Sequence, residues 1–415
     1  MAEQPATGFG GMLLNTALPL LATLLGGLLL SRRLRENLSW RATVTPLASI
    51  IGSGFLVVAP ILGQLLGRFA IVGMLVIALF AIAIGTVLRF NIRHAEARLA
   101  RGDVQTTVIR IERAADAALT LAYVISVAFY VRLLAAFLLR PIGLTGGHSP
   151  DLLATMILSA IGLIGWRRGL HALEDLEEYA VAVKLAVIAA LITGLAVHAG
   201  HSGFHLSGIH SAGDSPWRTS QVLAGLLLVV QGFETSRFLG QAYTAELRIR
   251  TMLRAQWLAS AIYLLFVLLA TPLFDRIAHP RLDETAIIDL ATAAAWVLGP
   301  MLVLAAIMSQ FSAAVADTVG AGGLVKEESA GRIVERQAYL VIVALAIALI
   351  WSANLFEIIS LASRAFAFYY LLQTMLAWLV AGDLAGSRGL AWRRAGFAAI
   401  AAVLCFVVVF GRPAD

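Results

Sequence analysis

Residues 48–55 of the chain read Ala48-Ser49-Ile50-Ile51-Gly52-Ser53-Gly54-Phe55. This stretch lies in the middle of an apolar run near residues 43–66, with Pro46 before it and Pro60 after it. In hydrocarbon every backbone N–H and C=O group needs a partner, so a non-helical stretch within a membrane span is tolerated only where it is buried in protein or lines a cavity. The glycines therefore predict either a helix break at a binding site or close helix packing through small residues.

A second apolar run, near residues 219–241, carries a similar interruption. Its central stretch reads Gln231-Gly232-Phe233-Glu234-Thr235-Ser236-Arg237-Phe238-Leu239-Gly240. At such a break the freed amides of a half-helix can hold an anion, and the freed carbonyls can hold a cation or an ammonium group. Both stretches are therefore candidate binding sites in the middle of the membrane.

The composition identifies a polytopic membrane protein. Of the 415 residues, 60% are hydrophobic and 13% are charged, with a mean hydropathy of +0.86, whereas a soluble domain has about 25% charged residues. Soluble enzyme folds and nucleic-acid-binding folds are excluded, so we expect no nucleic acid partner. The single cysteine, Cys405, can form neither a disulfide framework nor a thiolate metal site. We expect no metal site and no cofactor.

Apolar runs of about 20 residues, the length that crosses a bilayer as a helix, recur along the chain and predict an all-α fold. They give twelve transmembrane spans, near residues 11–30, 43–66, 69–90, 115–140, 151–166, 180–199, 219–241, 253–274, 286–323, 336–351, 355–381 and 393–411.

The basic residues predict how these spans are oriented. With the first span starting outside, the inside connections hold 21 of the 31 Lys and Arg residues, the outside segments hold 6, and the remaining 4 fall within spans. Cytoplasmic loops of membrane proteins are enriched in basic residues. We therefore expect both chain ends outside, in a bacterial inner membrane.

The two interrupted spans resemble those of a known transporter family. Ile50-Ile51-Gly52-Ser53-Gly54 is similar to the first-helix motif of the amino acid–polyamine–organocation (APC) transporters. Gly232-Phe233-Glu234 is similar to the sixth-helix motif of the same superfamily, and the 180 residues from Gly52 to Gly232 suit its spacing. The resemblance implies the five-plus-five inverted-repeat fold of the leucine-transporter class.

That fold divides the chain into four parts. They are an extra N-terminal helix with a basic loop (1–42), the first inverted repeat with core helices 1–5 (43–199), the second inverted repeat with core helices 6–10 (200–381), and a C-terminal helix (382–415). The N-terminal helix, in residues 1–42, is extra relative to the usual APC pattern. The basic motif common after the eighth core helix is not recognisable in residues 320–326. The chain therefore resembles a divergent branch of the family, whose substrate is not simply inherited from the family.

The resemblance also implies which residues bind substrate. In such proteins the glycine-rich backbone of the first break binds a carboxylate, which assigns Gly52, Ser53 and Gly54. Ile51 and Gly232 are the carbonyls expected to face an ammonium group or side chain, and Phe233 and Glu234 belong to the same sixth-helix break.

Further polar residues lie within spans. Tyr123, Ser126 and Tyr130 recur at helical spacing, so this face either lines a site or packs through its aromatic rings. Glu234 either pairs with Arg237, three residues on, or acts as a gate that senses substrate or protons. Arg364 either binds a substrate carboxylate or neutralises an acidic residue, Asp317 or Glu234.

Lys184 is the expected coupling residue. The chain contains only two lysines, and Lys184 stands in an apolar run, whereas Lys326 is in a loop. A desolvated lysine can lose its proton and an arginine cannot. The position also resembles a lysine in the fifth core helix of some proton-coupled APC members. We expect its charge near the carbonyls of the first break and near Ser309, Ser312 and Asp317; a structural or snorkelling lysine is the other interpretation.

These observations predict a secondary active transporter. It is expected to move an amino acid or a related small zwitterion or amine by alternating access, coupled to protons. No ATP-binding motif or catalytic constellation is present, so an enzyme is not expected. Three alternatives stay open: a sodium-coupled carrier in which Ser309 and Ser312 bind the ion, a transporter-like sensor, and a subunit of a larger membrane complex. The expected partners are a small-molecule substrate, a proton or sodium ion, the lipid bilayer and, in the last two cases, another protein.

Overall fold

The computed structural model of the protein describes residues 9–52, 54–144, 146–203, 215–276, 285–384 and 388–413, and its regular secondary structure there is entirely helical. The α-helices are α1 (Phe9–Leu29), α2 (Arg32–Arg35), α3 (Leu38–Ile50), α4 (Gly54–Leu66), α5 (Ala70–Phe90), α6 (Glu96–Arg101), α7 (Thr106–Leu139), α8 (Ser149–Arg168), α9 (His171–Ser202), α10 (Pro216–Ala224), α11 (Thr235–Phe238), α12 (Ala245–Ala270), α13 (Ala286–Ala294), α14 (Leu298–Glu328), α15 (Glu335–Ser352), α16 (Leu355–Asp383) and α17 (Arg388–Phe410). A π-helical turn, Asn91–Ala95, joins α5 to α6.

Ten helical stretches of the described residues are long and apolar enough to cross a membrane. Two of the predicted spans are discontinuous and do not appear among these ten as single helices. The span near 43–66 consists of α3 and α4, and the span near 219–241 consists of α10, a 3-10 turn at Leu227–Val230 and α11. The two interruptions predicted from the glycines are therefore helix breaks.

The span predicted near 286–323 is also divided, which the sequence analysis did not predict. α13 ends at Ala294, Ala295 is extended (φ −159°, ψ 133°), and α14 begins at Leu298. Pro300 explains the division, because proline lacks an N–H group and its ring clashes with the carbonyl four residues earlier. Pro300 lies in the first turn of α14, where neither effect disturbs the helix.

Burial distinguishes central helices from peripheral ones. α7 packs against α14 and α16, and 83% of the residues in its apolar, membrane-spanning stretch are buried. By contrast, only 6% of the apolar stretch of α1 and 17% of that of α17 are buried. Each packs mainly along one long helix, α1 along α9 and α17 along α16. A helix that is apolar all round but mostly exposed fits a lipid environment. The extra N-terminal helix and the C-terminal helix therefore lie at the periphery, facing lipid.

Candidate functional site

The first break follows the end of α3. Ile51 leaves the helical conformation (φ −84°, ψ 58°), although its N–H group still donates to the Leu47 carbonyl at 2.9 Å. α4 resumes at Gly54, and Ser53 lies outside the described residues. The carbonyls at the very end of a helix lack a partner within the helix and carry the partial negative charge of its C-terminus. The end of α3 is therefore suited to bind a cation.

The second break touches the first directly. Gly232 has a φ of +116°, a conformation that L side chains rarely adopt. A Cβ atom at this position would lie 2.5 Å from the Ser49 carbonyl carbon and 2.7 Å from the Ile50 nitrogen. Only glycine allows this close approach together with this φ. The two discontinuous spans thus cross at their breaks.

Tyr263 of α12 joins the two breaks. Its buried hydroxyl oxygen lies 3.0 Å from the Ile50 carbonyl oxygen and 2.7 Å from the Val229 carbonyl oxygen, so its proton can be donated to either. Both carbonyls belong to backbone next to a break, where helical partners are missing. A buried, unpaired carbonyl costs about 1–3 kcal/mol. Tyr263 therefore stabilises both breaks at once.

Lys184 of α9 contacts the end of α3. Its side chain is buried, and Nζ donates a hydrogen bond of 2.7 Å to the Ala48 carbonyl oxygen. Ala48 is in the last turn of α3, so the ammonium group lies at the negative end of the half-helix dipole. The structure thus places Lys184 beside the first break, as the sequence analysis expects.

A cavity of about 550 Å³ lies between the first break, α7, α9 and α14. It brings together seven residues that the sequence analysis singled out: Gly52, Tyr123, Tyr130, Lys184, Ser309, Ser312 and Asp317. It also extends to Thr45, Val181 and Leu324. These three residues lie toward the ends of α3, α9 and α14 that the arginine distribution predicts to be cytoplasmic. The cavity therefore extends from the breaks toward the predicted cytoplasmic side.

Other predicted site residues lie beside the cavity without lining it. Ile51, Gly54, Ser126 and Phe233 are buried, and the Phe233 ring stacks on the ring of Tyr370 with their centroids 5.3 Å apart. These residues pack around the breaks and support their shape.

Arg364 lies elsewhere, so the expectation that it binds substrate or neutralises Asp317 or Glu234 does not fit the structure. It is exposed, and its Nε donates to the Val408 carbonyl in α17 at 2.7 Å. Arg364 belongs to α16 and faces the peripheral C-terminal helix α17.

Glu234 is fully buried and bends back onto the second break. Its Oε2 accepts hydrogen bonds from the Gly232 N–H group at 2.8 Å and from the Tyr370 hydroxyl at 2.6 Å. Pairing with Arg237, the alternative that the sequence favours by helical spacing, is wrong. Arg237 instead pairs with Glu112 at 2.6 Å. Because α11 is a single turn, Glu234 satisfies the break amide instead of a neighbour along a helix.

Arg237 belongs to an ion-pair network that the sequence analysis missed. Arg248 pairs with Glu96 at 2.6 Å and donates to the Arg237 carbonyl at 3.0 Å, while Glu112 also accepts from Gln373 at 2.9 Å. The network holds the second half of the broken helix against α6, α7, α12 and α16. Glu96 and Glu112 lie between the predicted spans 69–90 and 115–140, and no local sequence pattern shows that helices extend into this connection.

Tyr263, Gln231 and Tyr370 were also missed. The Gln231 side-chain amide lies 3.4 Å from the Tyr130 hydroxyl, so it borders the predicted tyrosine face. One signal was available for Tyr263, since a buried tyrosine hydroxyl in an apolar run needs a partner. Among the described residues, no group of three or more His, Cys, Asp or Glu side chains is arranged to hold a metal ion.

The chain matches a family of transporters in sequence. A family model described as APC superfamily transporter matches residues 32–411. An uncharacterized protein of Aquifex aeolicus (strain VF5) is 44% identical over 389 residues, which cover 93% of this chain and 94% of that protein. The match begins after the extra N-terminal helix.

In structure, the chain is similar to the Eremococcus coleocola manganese transporter in complex with an aromatic bis-isothiourea substituted compound. The TM-score is 0.58 at 12% sequence identity, covering 91% of this chain and 88% of that one. A mutant of that transporter gives a TM-score of 0.54, also at 12% identity. At this identity the likeness shows the fold alone. The predicted all-α polytopic fold with five-plus-five core helices is confirmed.

Substitution of Gly232 by alanine tests the crossing of the two breaks. We expect Gly232→Ala to lower the free energy of unfolding by at least about 2 kcal/mol, because it combines an unfavourable φ with a collision against Ser49. Thermal unfolding in detergent measures the effect. Gly27→Ala in α1, where a Cβ meets nothing within 4 Å, is the control and should be neutral or stabilising. Equal stabilities would contradict the crossing.

Removal of the Tyr263 hydroxyl tests the link between the breaks. We expect Tyr263→Phe to destabilise the protein by about 1–3 kcal/mol, because it leaves buried carbonyls without a donor. Tyr179→Phe removes a hydroxyl from an exposed tyrosine of α9 and should change little. The same unfolding midpoint in both variants would show that Tyr263 does not support the breaks.

Proposed function

The chain belongs to the APC superfamily of transporters and is an integral membrane secondary transporter; from that premise we propose that it carries an amino acid or a related small zwitterion or amine, driven by protons. The observation that carries the proposal is the bond from the Lys184 ammonium group to the Ala48 carbonyl, beside the cavity. A proton-binding group and the first break are in direct contact there, so a change in one acts on the other.

The coupling step follows from this contact. The charged ammonium group neutralises the partial negative charge of the α3 C-terminus. When Lys184 releases its proton to the cavity, that attraction is lost and the carbonyl is free to take another partner. A ligand or proton shifts a conformational equilibrium only by its different affinity for the two states. Lys184 supplies such a difference at the end of a half-helix.

The cavity chemistry fits a zwitterion. It contains one ammonium group, Lys184, and one carboxylate, Asp317, together with the hydroxyls of two tyrosines, three serines and two threonines. Its volume of about 550 Å³ lies in the range of about 300–1,000 Å³ typical of small-molecule sites. We assign the substrate carboxylate to the backbone of the first break around Gly52, Ser53 and Gly54, and its amine to the side of Asp317. Glu234 positions the backbone of the second break by accepting a hydrogen bond from the Gly232 N–H group.

A divalent metal substrate, the cargo named for the manganese transporter, suits this cavity less well. The described lining residues include a single carboxylate and no histidine, cysteine or methionine. Manganese prefers several carboxylate and carbonyl oxygens, and the Lys184 charge repels a divalent cation. Sodium coupling through Ser309 and Ser312 is the closer alternative, but the Lys184 ammonium group occupies the carbonyl that a sodium ion would use.

Alternating access gives the cavity its role. We propose that it represents an inward-facing state in a bacterial inner membrane, since it extends toward the arginine-rich side. The two repeats, 43–199 and 200–381, each begin with a broken helix. We propose that these broken helices move together with α12, to which Tyr263 ties both breaks, and with α5, which packs against α12, against the remaining helices.

Substitution of Lys184 tests the coupling. In proteoliposomes with an inward proton gradient, we expect Lys184→Ala and Lys184→Arg to reduce substrate uptake to the level of protein-free vesicles. Alanine removes the ammonium group, and arginine keeps its proton. The chain offers a matched control in Lys326→Ala, which removes its other lysine from an exposed ion pair with Glu335 and should transport normally. Full proton-driven uptake by either Lys184 variant would overturn the proposal.

A ligand panel tests the substrate class. Purified protein is heated with amino acids, amines, small carboxylates and manganese, with and without sodium. A true ligand at 100 times its Kd should stabilise the protein by about 2.7 kcal/mol. We expect stabilisation by an amino acid or amine without any need for sodium. Stabilisation by manganese alone would replace the proposed substrate, and a strict sodium requirement would replace the proposed coupling ion.

A further inference from the structure

A second cavity, of about 300 Å³, lies on the outer surface of the helix bundle between α5, α12 and α17. Four basic side chains line it: Arg89, Arg93, His94 and Arg393. These residues lie at the ends of α5 and α17 that the arginine distribution predicts to be cytoplasmic. The cavity is separate from the one beside the helix breaks and shares no lining residue with it.

The positive charge of this cavity is poorly compensated. Arg93 pairs with Glu246 at 3.0 Å, but the same carboxylate also pairs with Arg250 at 3.0 Å. Arg89 donates to the neutral side chain of Gln256 at 2.5 Å. Arg393 makes no hydrogen bond or ion pair with the described residues. Three guanidinium groups thus share part of one carboxylate, an arrangement that suits an anionic ligand with several oxygens.

The other side of the cavity is apolar and continues into the membrane-facing surface. Phe90 and Phe397 pack edge to face with their centroids 5.2 Å apart and form its inner wall. Along α5, Val72 and Leu79 are more than half exposed, and Thr86 follows seven residues after Leu79. Residues seven apart lie on nearly the same face of a helix. An exposed apolar stripe therefore runs along α5 and ends at the basic cavity.

The backbone at the cavity is unusual. Arg93 and His94 belong to the π-helical turn Asn91–Ala95. π-Helical turns are rare and are frequently found at functional sites. The Asn91 side chain fixes this turn by donating to the Gln373 carbonyl at 2.9 Å. The turn is thus held by α16, independently of any ligand.

We propose that this cavity binds the phosphate headgroup of an anionic phospholipid from the cytoplasmic leaflet, with the acyl chains lying along the exposed face of α5. Basic pockets between transmembrane helices on the cytoplasmic side are suited to such headgroups. The apolar stripe that leads into the cavity selects a lipid over free phosphate. The bound lipid would join the peripheral α17 to α5 and α12, which contact the broken helices.

Native mass spectrometry of the purified protein tests the site, with phosphatidylglycerol and phosphatidylcholine as the two probes. We expect retained phosphatidylglycerol adducts on the wild-type protein and at least about tenfold weaker binding to the double variant Arg93→Gln/Arg393→Gln, because each basic residue near an anionic headgroup contributes to its attraction. Both side chains are exposed, so the variant should unfold at the wild-type temperature in neutral detergent. The single variant Arg393→Gln, which breaks no ion pair, should show an intermediate loss.

The matched control is Arg332→Gln/Arg336→Gln, which removes two exposed arginines from the same predicted side of the membrane. It should bind phosphatidylglycerol like the wild type. An equal loss in the control would show diffuse charge attraction and overturn the site. Equal retention of phosphatidylcholine would do the same. Displacement of the lipid by millimolar inorganic phosphate would assign the cavity to the free anion and overturn the lipid proposal.

Discussion

The contact between the two broken helices is the constraint on which the rest of the structure depends. Breaking a helix inside a membrane frees backbone groups that lipid cannot satisfy. Here a few side chains satisfy freed groups of both breaks, and the two breaks pack directly against each other. Gly232 lies against Ser49 and Ile50, and Tyr263 reaches carbonyls of both spans. The two breaks therefore depend on shared side chains and on their packing against each other.

The charged residues follow from the same constraint. Lys184 lies at the negative end of α3, and Glu234 lies at the amide of Gly232. Each places its charge where the freed backbone has the opposite partial charge. Isolated charges in a membrane are costly, so the breaks stabilise the charges as much as the charges stabilise the breaks. A change of protonation or a bound zwitterion therefore acts on the helix ends themselves.

The sequence predicted those features of the fold and the site that depend on a local pattern of residues. Apolar length predicted the spans, glycines predicted the breaks at Gly52 and Gly232, and the scarcity of lysine pointed to Lys184. The sequence did not predict the partner of a side chain where that partner lies far away along the chain. Arg364 was expected to bind substrate or to neutralise Asp317 or Glu234, but it faces α17. Arg237 was paired by helical spacing, but its partner Glu112 is 125 residues away. The division before Pro300 was visible in the sequence and was overlooked because the apolar run continues through it.

The central claim is that the Lys184 ammonium group links protons to the first break, and its nitrogen can be observed directly. Protein labelled with ¹⁵N at lysine Nζ contains only two labelled side chains, Lys184 and Lys326, and Lys326→Arg assigns them. The account predicts that substrate and proton concentration both change the Lys184 signal over the range in which uptake is active, while Lys326 does not respond to substrate. A Lys184 signal that is indifferent to both would contradict it.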